Sequence, residues 1–259
     1  YIEVSSKNNI IIIGGSNVLM GIDSELMEDK LDYNIVNMGI NAGIGLRFMI
    51  NDIKHYIKKG DIIVICSEYA HYTGKLNGES ALLFLLKQIP SEFKYISKEN
   101  ITAIIDGFPY FLRSQLAGIL KGMEVDSLQN RKSLNKNGDI ISHINISESN
   151  FSFTNSNFGD IDNEVFGVLN EFYEYTKNIG TDVVISYPSI FDEVFYNWKD
   201  DIENLDKLLR ENTNIDIISD YNNYKFTNNE MFDSIYHLNG EGRKNRTEQL
   251  IKDLKDYLQ

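Results

Sequence analysis

The stretch Ile10-Ile11-Ile12-Ile13-Gly14-Gly15-Ser16-Asn17 decides the fold. Four consecutive isoleucines predict a strand that is buried on both faces, as strands of a parallel sheet are. The two glycines predict a sharp turn. The residues after them, Val18, Leu19, Ile22 and Leu26, have the spacing of one helix face. A buried strand that turns directly into a helix is typical of an α/β protein.

The rest of the chain continues this alternation. Apolar runs predict strands over 34–38, 61–66, 101–105, 182–186 and 215–218. Helical patterns lie over about 46–59, 80–88, 164–177, 200–211 and 240–258. Strands that alternate with helices form a parallel sheet covered on both faces, and its ligands bind beyond the carboxyl ends of the strands. We therefore expect an α/β/α sandwich with a mostly parallel five-stranded sheet.

Length and composition indicate one folded unit. The chain has 259 residues, of which 42% are hydrophobic and 24% charged, enough to bury a large core. With only 3 prolines and no linker-like stretch, it is predicted to form a single domain over 1–259. Residues 130–163 are rich in Asn, Ser and Gly, and we interpret them as an irregular insertion without assignable chemistry.

Charge and cysteine content exclude several functions. The net charge of -13 argues against nucleic-acid binding and against docking on an anionic membrane. The single cysteine, Cys66, cannot form an internal disulfide or a multi-cysteine zinc site. His55 and His143 lack metal-like spacing. No metal and no other cofactor are expected.

Ser16 is the first candidate for chemistry. It follows a predicted strand at the start of a predicted helix, where free N–H groups and the helix dipole stabilise an oxyanion. A serine needs a base to become a nucleophile. On local sequence alone, a role as helix cap is equally consistent. The turn lacks the Gly-Lys-Ser/Thr that ends a phosphate-binding loop. It also lacks the last glycine of the nucleophile motif Gly-x-Ser-x-Gly, and it does not match a dinucleotide-binding fingerprint.

A base and its partner stand near the other end of the chain. Asp233 and His237 lie in Phe232-Asp-Ser-Ile-Tyr-His-Leu-Asn-Gly240, just before the last helical pattern. A histidine titrates near neutral pH and can take a proton from serine, while a carboxylate orients its ring. Structural roles, with Asp233 as a helix cap, fit the local sequence equally well.

Taken together, these motifs resemble the SGNH/GDSL hydrolase superfamily. The resemblance rests on Gly14-Gly-Ser-Asn17 after strand one, Asn37-Met-Gly-Ile-Asn-Ala-Gly43 after strand two, and the Asp/His pair before the final helix. It implies a flavodoxin-like three-layer fold and metal-free cleavage or transfer of acyl esters. It also implies roles for individual residues: nucleophile Ser16, base His237, orienting Asp233, and an oxyanion hole from the backbone N–H groups of Ser16 and of Ala42 or Gly43.

Three departures from the family pattern bear on activity. The usual Gly-Asp-Ser reads Gly14-Gly15-Ser16, and the Asp/His spacing is four rather than three. The third block reads Cys66-Ser67-Glu68-Tyr69 and lacks the family's asparagine, an oxyanion donor. Loss of one such donor costs about 10² to 10³ in rate. The substrate-binding candidates are Asn17, Asn41, Glu68 and Tyr69.

The sequence therefore predicts an acyl-ester hydrolase or O-acyltransferase acting through an acyl-Ser16 intermediate. Its blocks resemble the branch that modifies cell-surface polymers, which implies a small acyl ester or surface polysaccharide as substrate and a membrane-bound O-acyltransferase as partner. A catalytically weak or inactive module that binds such a partner is the alternative, and a flavodoxin-like nucleotide or flavin binder is a third. An extracytoplasmic location with an anchor upstream of Tyr1 stays open.

Overall fold

A five-stranded, all-parallel sheet forms the centre of the molecule. The computed structural model describes residues 7–121, 133–146 and 157–259. The sheet contains β1 (Asn9–Gly14), β2 (Asn34–Gly39), β3 (Ile62–Cys66), β4 (Asp182–Ile185) and β6 (Asp216–Ile217) in the order β2-β1-β3-β4-β6. A two-stranded parallel sheet joins β5 (Ile190–Phe191) to β7 (Lys225–Phe226). This strand order is that of a flavodoxin-like fold.

Helices cover both faces of the sheet. In the described residues they are α1 (Ser16–Gly21), α2 (Ser24–Lys30), α3 (Leu46–Ile53), α4 (Ser80–Gln88), α5 (Lys98–Lys121), α6 (Glu164–Ile179), α7 (Asp192–Asn197), α8 (Lys199–Asn212) and α9 (Gly240–Tyr257). Alternate isoleucines of β1 point to opposite faces. Ile11 and Ile13 join the core formed with α3, α6 and α8, whereas Ile10 and Ile12 join the core formed with α1, α2 and α9. The predicted three-layer α/β/α architecture is confirmed.

One predicted strand is wrong. Residues 101–105 lie inside α5, not in the sheet. Their β-branched side chains favour a strand locally, but α5 packs along α4, with the rings of Phe84 and Phe111 at 4.9 Å between centroids. Tertiary packing on α4 therefore decides the conformation. Helix α3 is also shorter than predicted, ending at Ile53 rather than near residue 59.

Part of the predicted insertion covers the free edge of β2. Residues 130–132 and 147–156 lie outside the described residues. Within the described part, Asn37 N donates to Asn137 O (2.8 Å), and Asn137 Nδ2 donates to Ile35 O (2.9 Å). An edge strand with unpaired backbone groups is prone to aggregation, and this segment blocks that edge. The described segment is therefore joined to the sheet.

No helix within the described ranges combines the length and the apolar character that crossing a membrane requires.

Candidate functional site

Two sequence blocks meet where the strand order reverses. The chain passes from β1 outward to β2 and then returns to β3 on the other side of β1. In the register of β1 and β3, Gly14 pairs with Cys66. Ser16 and Glu68 each stand two residues beyond that pair. The crevice at this reversal is where open α/β sheets bind their ligands.

Ser16 is the first residue of α1 and is partly exposed. Gly15 occupies the cap position, and no side chain caps the helix, so Ser16 is not the helix cap. The Ser16 hydroxyl donates to Glu68 Oε1 at 3.0 Å, and the backbone N–H of Asn17 donates to the same oxygen at 3.0 Å. The Glu68 side chain therefore holds both the candidate nucleophile and the first turn of its helix.

The absence of a side chain at Gly15 makes room for Glu68. A Cβ at Gly15 would lie 2.3 Å from Glu68 Oε1 and 2.6 Å from its Cδ. Glu68 is buried, with 4% of its surface exposed. The glycine in the first block and the glutamate in the third are both departures from the family pattern. The Glu68 side chain fills the space that a side chain at position 15 would take. An acidic side chain, that of Glu68, thus lies beside Ser16 although position 15 carries none.

Helix α1 is held from behind by α9. Asn17 Nδ2 donates to Cys66 O at 3.1 Å, which ties α1 to β3. The guanidinium of Arg246 is completely buried and donates to Asn17 O. Buried arginines need such acceptors, because an unpaired buried charge is costly. The start of α1, and with it Ser16, is therefore fixed by two separate elements.

Asp233 and His237 form a hydrogen-bonded pair. His237 Nδ1 lies 2.6 Å from Asp233 Oδ1. Because the carboxylate accepts, Nδ1 carries the proton and Nε2 is left as the ring's acceptor in the neutral form. The His237 side chain is 15% exposed and that of Asp233 57%. The hydrogen bond to His237 is the main cause that lowers the pKa of Asp233. The four-residue spacing is thus compatible with pairing.

The loop that carries this pair is anchored beside the third block. Its chain crosses back on itself, since Phe232 N donates to His237 O at 2.8 Å. Ser189 Oγ, beyond β4, donates to Tyr236 O at 2.8 Å. Burial, and after it the neighbouring Glu68 carboxylate, raises the pKa of the Tyr236 hydroxyl well above its ordinary value. The Tyr236 hydroxyl is also hydrogen-bonded to the backbone of Tyr69, so the residue next to His237 contacts the third block.

The loop after β2 contains two candidate oxyanion donors, the backbone N–H groups of Ala42 and Gly43, and among the described residues only that of Ala42 is free. Gly43 N donates to Asn41 Oδ1 at 2.8 Å. Neither Ser16 N nor Ala42 N donates to another described residue. His71, fully buried, lies below this loop with Nε2 3.0 Å from Ala42 O, so Nε2 carries the proton. Burial lowers the pKa of His71, which favours the neutral ring.

Only one of the four predicted substrate contacts is open to solvent. Asn41 is exposed, whereas Asn17, Glu68 and Tyr69 are buried. The Tyr69 ring packs against Phe158 and Trp198, at 5.5 and 6.4 Å between centroids. Asn17 and Tyr69 therefore contact other parts of the chain rather than solvent, and their prediction as substrate contacts stays a prediction. Glu68 contacts Ser16 rather than bulk solvent.

A buried ionic network next to the site has no signal in the sequence. Asp139 is fully buried and accepts from Ser24 Oγ at 2.6 Å and from Asn37 Nδ2 at 2.8 Å. Arg243 Nη2 donates to it at 3.0 Å, and Arg243 Nε donates to Ile22 O at 2.7 Å. Residue 139 belongs to the predicted insertion. A lone aspartate among asparagines and serines does not indicate such a role.

The described ranges contain no group of three or more His, Cys, Asp or Glu side chains placed to bind a metal ion. No protein-family model matches the chain, and no curated protein matches its sequence.

Proposed function

We propose that this protein is a serine-dependent acyl-ester hydrolase or O-acyltransferase that acts through an acyl-Ser16 intermediate. The observation that carries the proposal is the 2.6 Å hydrogen bond between Asp233 and His237, in a loop whose Tyr236 contacts the third block at Tyr69, next to the carboxylate residue that holds Ser16. A serine at a helix start and a histidine oriented by a carboxylate are the parts that nucleophilic acyl transfer needs.

The proposed reaction has two acyl-transfer steps. The Ser16 hydroxyl turns from Glu68 to His237, transfers its proton to Nε2 and attacks the acyl carbonyl. The ester C–O bond breaks, and the leaving alkoxide takes that proton from His237. Water or an acceptor hydroxyl then gives a proton to His237, attacks the acyl-serine and releases Ser16 Oγ as the hydroxyl. Asp233 holds the ring in the required tautomer throughout.

The N–H groups of Ser16 and Ala42 are the proposed oxyanion donors. Both are without an acceptor among the described residues. Gly43 N is engaged by Asn41 Oδ1, so it joins them only if Asn41 turns away. His71 supports this loop through its hydrogen bond to Ala42 O. We assign it a positioning role.

The resemblance to the SGNH/GDSL superfamily supports this reading of the site. The branch that it most resembles implies a cell-surface glycan or polymer as acceptor and a membrane-bound O-acyltransferase as partner. Both are part of the proposal.

A second candidate function is a catalytically weak binding module. The observation that favours it is the Glu68 carboxylate 3.0 Å from Ser16 Oγ. A fixed negative charge beside the nucleophile opposes the negative charge that develops in the transition state. In this case the same fold would serve as a docking surface for the acyltransferase.

Labelling by a fluorophosphonate probe, together with p-nitrophenyl acetate hydrolysis and intact mass, tests the proposal. We expect a stoichiometric adduct on the native protein and none on Ser16→Ala, with turnover lower by at least about 10³-fold. Ser80→Ala is the matched control, because Ser80 also begins a helix. An adduct that persists in Ser16→Ala would exclude Ser16 as nucleophile. No adduct on any folded variant would favour the binding module.

A further inference from the structure

A cleft of about 600 Å³ runs beside β2, between that strand, α3 and the end of α4. Its apolar lining comes from Val36, Met38, Ile40, Phe48, Leu85 and Ile89. Apolar walls with a few polar groups are characteristic of small-molecule sites.

This cleft adjoins the candidate catalytic site. A smaller cleft of about 270 Å³ shares Met38, Ile40 and Phe48 with it and extends to Ile13 and Gly39. Ile13 directly precedes the Gly14-Gly15-Ser16 turn, and Ile40 N donates to Gly14 O at 3.1 Å. Material bound here would therefore lie next to the loops that carry Ser16 and Ala42.

Asn37 and Asp52 are the polar residues that line both clefts, and Asp52 is the charged one. Its Oδ1 is buried and has no hydrogen-bond partner in the described part of the chain. Burial, and then the charge of Glu92, raise the pKa of Asp52 to about 6, whereas His55 and Lys94 act in the opposite direction. Above that pH the cleft contains a carboxylate whose inner oxygen lacks a donor.

The other polar groups of the cleft do not supply that donor. Lys136, at its rim, forms an ion pair with Glu28 at 3.4 Å. The Tyr56 hydroxyl lies 3.2 Å from the hydroxyl of Tyr95. Glu92, also in the lining, adds a second negative charge. The cleft thus combines apolar walls with two carboxylates, those of Asp52 and Glu92, that form no ion pair within the described part of the chain, although His55 and Lys94 act on Asp52 with opposite charge.

We propose that this cleft binds an organic ammonium group, with the cation on Asp52 and its hydrocarbon part against Phe48, Leu85 and Ile89. A buried carboxylate is stabilised by a paired cation, and the apolar walls require a ligand with a hydrocarbon body. We further propose that this ammonium group belongs to the substrate that Ser16 attacks, and this part rests on the proposed function. The binding itself does not.

Methionine methyl groups report on the cleft directly. Met38 lines it and Met49 lines the adjoining smaller cleft, whereas Met20, Met27 and Met231 lie elsewhere. We would titrate ¹³C-methyl-methionine protein at pH 8 with hexylammonium, hexanol and hexanoate. The expected result is a saturable shift of Met38 and Met49 alone, with hexylammonium binding at least about tenfold more tightly than hexanol and hexanoate binding weakest.

Asp52→Asn is the informative variant, since it keeps the shape and removes the charge. We expect it to lose the tenfold preference for hexylammonium while its affinity for hexanol is unchanged. Asp106→Asn, on α5 outside this cleft, is the matched control. Equal affinity for hexanol and hexylammonium, or no shift at Met38 and Met49, would overturn the proposal. Ser16→Ala should bind as the native protein does, so failure of the catalytic proposal leaves this result intact.

Discussion

The hydroxyl of Ser16 donates to Glu68 Oε1 at 3.0 Å, across the point where the strand order of the sheet reverses. His237, the proposed base, is at the same time bonded to Asp233 through Nδ1. The candidate nucleophile thus has a carboxylate as its resting partner. This relationship makes the role of Glu68 the first question about the mechanism.

Glu68→Gln should keep or increase activity if His237 is the base. The amide oxygen can still accept from Ser16, while the negative charge that opposes the oxyanion is removed. We expect p-nitrophenyl acetate turnover to rise about threefold to tenfold, and His237→Ala to lower it about 10³-fold. The opposite pattern, a large loss in Glu68→Gln and little change in His237→Ala, would make Glu68 the base.

Gly15→Ala should destabilise the protein through Glu68 alone. The backbone of Gly15 (φ -76°, ψ -162°) is accessible to alanine, but the new Cβ would lie 2.3 Å from Glu68 Oε1. We expect a loss of about 1–3 kcal/mol in the free energy of unfolding, measured by urea denaturation.

The same substitution in a Glu68→Ala background is the control. There the clash is absent, and alanine should be neutral or stabilise by about 0.4–1 kcal/mol, because it restricts the unfolded chain. An equal loss in both backgrounds would show that Glu68 does not define the space beside residue 15.

Asp52→Asn should stabilise the protein at neutral and alkaline pH but not in acid. The folded pKa of Asp52 is raised to about 6, above its ordinary 3.8. The folded state therefore binds this proton more tightly, and the native protein loses stability as the pH rises from about 4 to 6. The asparagine variant has no such loss.

We expect Asp52→Asn to gain about 1–2 kcal/mol over the native protein at pH 8, less than the pKa difference alone would give, because Asp52 is partly exposed. At pH 4 the two proteins should have nearly equal unfolding free energies in urea. A gain that is the same at both pH values would contradict ionisation of Asp52 as its cause.

Arg243→Met should destabilise the protein strongly. Arg243 Nη2 donates to Asp139, which is fully buried, so the substitution leaves that carboxylate without its cation. We expect a loss of about 3–5 kcal/mol in unfolding free energy. The matched control is Lys244→Met, whose exposed partner Glu248 is 3.9 Å away, and it should change stability by less than about 0.5 kcal/mol. A small loss in Arg243→Met would mean that the segment around Asp139 is not needed for folding.

The fold was readable from the sequence because its signals are local. Runs such as Ile10–Ile13 and Ile62–Cys66 are buried on both faces, and the spacing of apolar residues identifies the helices between them. The error at 101–105 has the same origin, since Ile101, Thr102, Ile104 and Ile105 favour a strand locally, whereas in the structure Ile104 packs against the core cluster that contains Leu82 and Leu85 of α4. Local propensity is a weak prior that tertiary packing overrides.

The candidate site was readable only in part. Ser16, Asp233 and His237 stand out by residue type and by position after a strand or before a helix. The burial of Tyr69 and Asn17 and the roles of His71 and Asp139 have no local signal, because each depends on what the fold places around the side chain.

The sequence by itself determined the parallel α/β/α sheet and the residue types at its carboxyl edge, since burial pattern and turn chemistry act within a few residues. Only the tertiary structure decided that the hydroxyl of Ser16 meets Glu68, 52 positions away, rather than His237. The physical reason is strand register: the pairing of Gly14 with Cys66 brings the two strand ends together, and the empty position at Gly15 leaves space for the carboxylate.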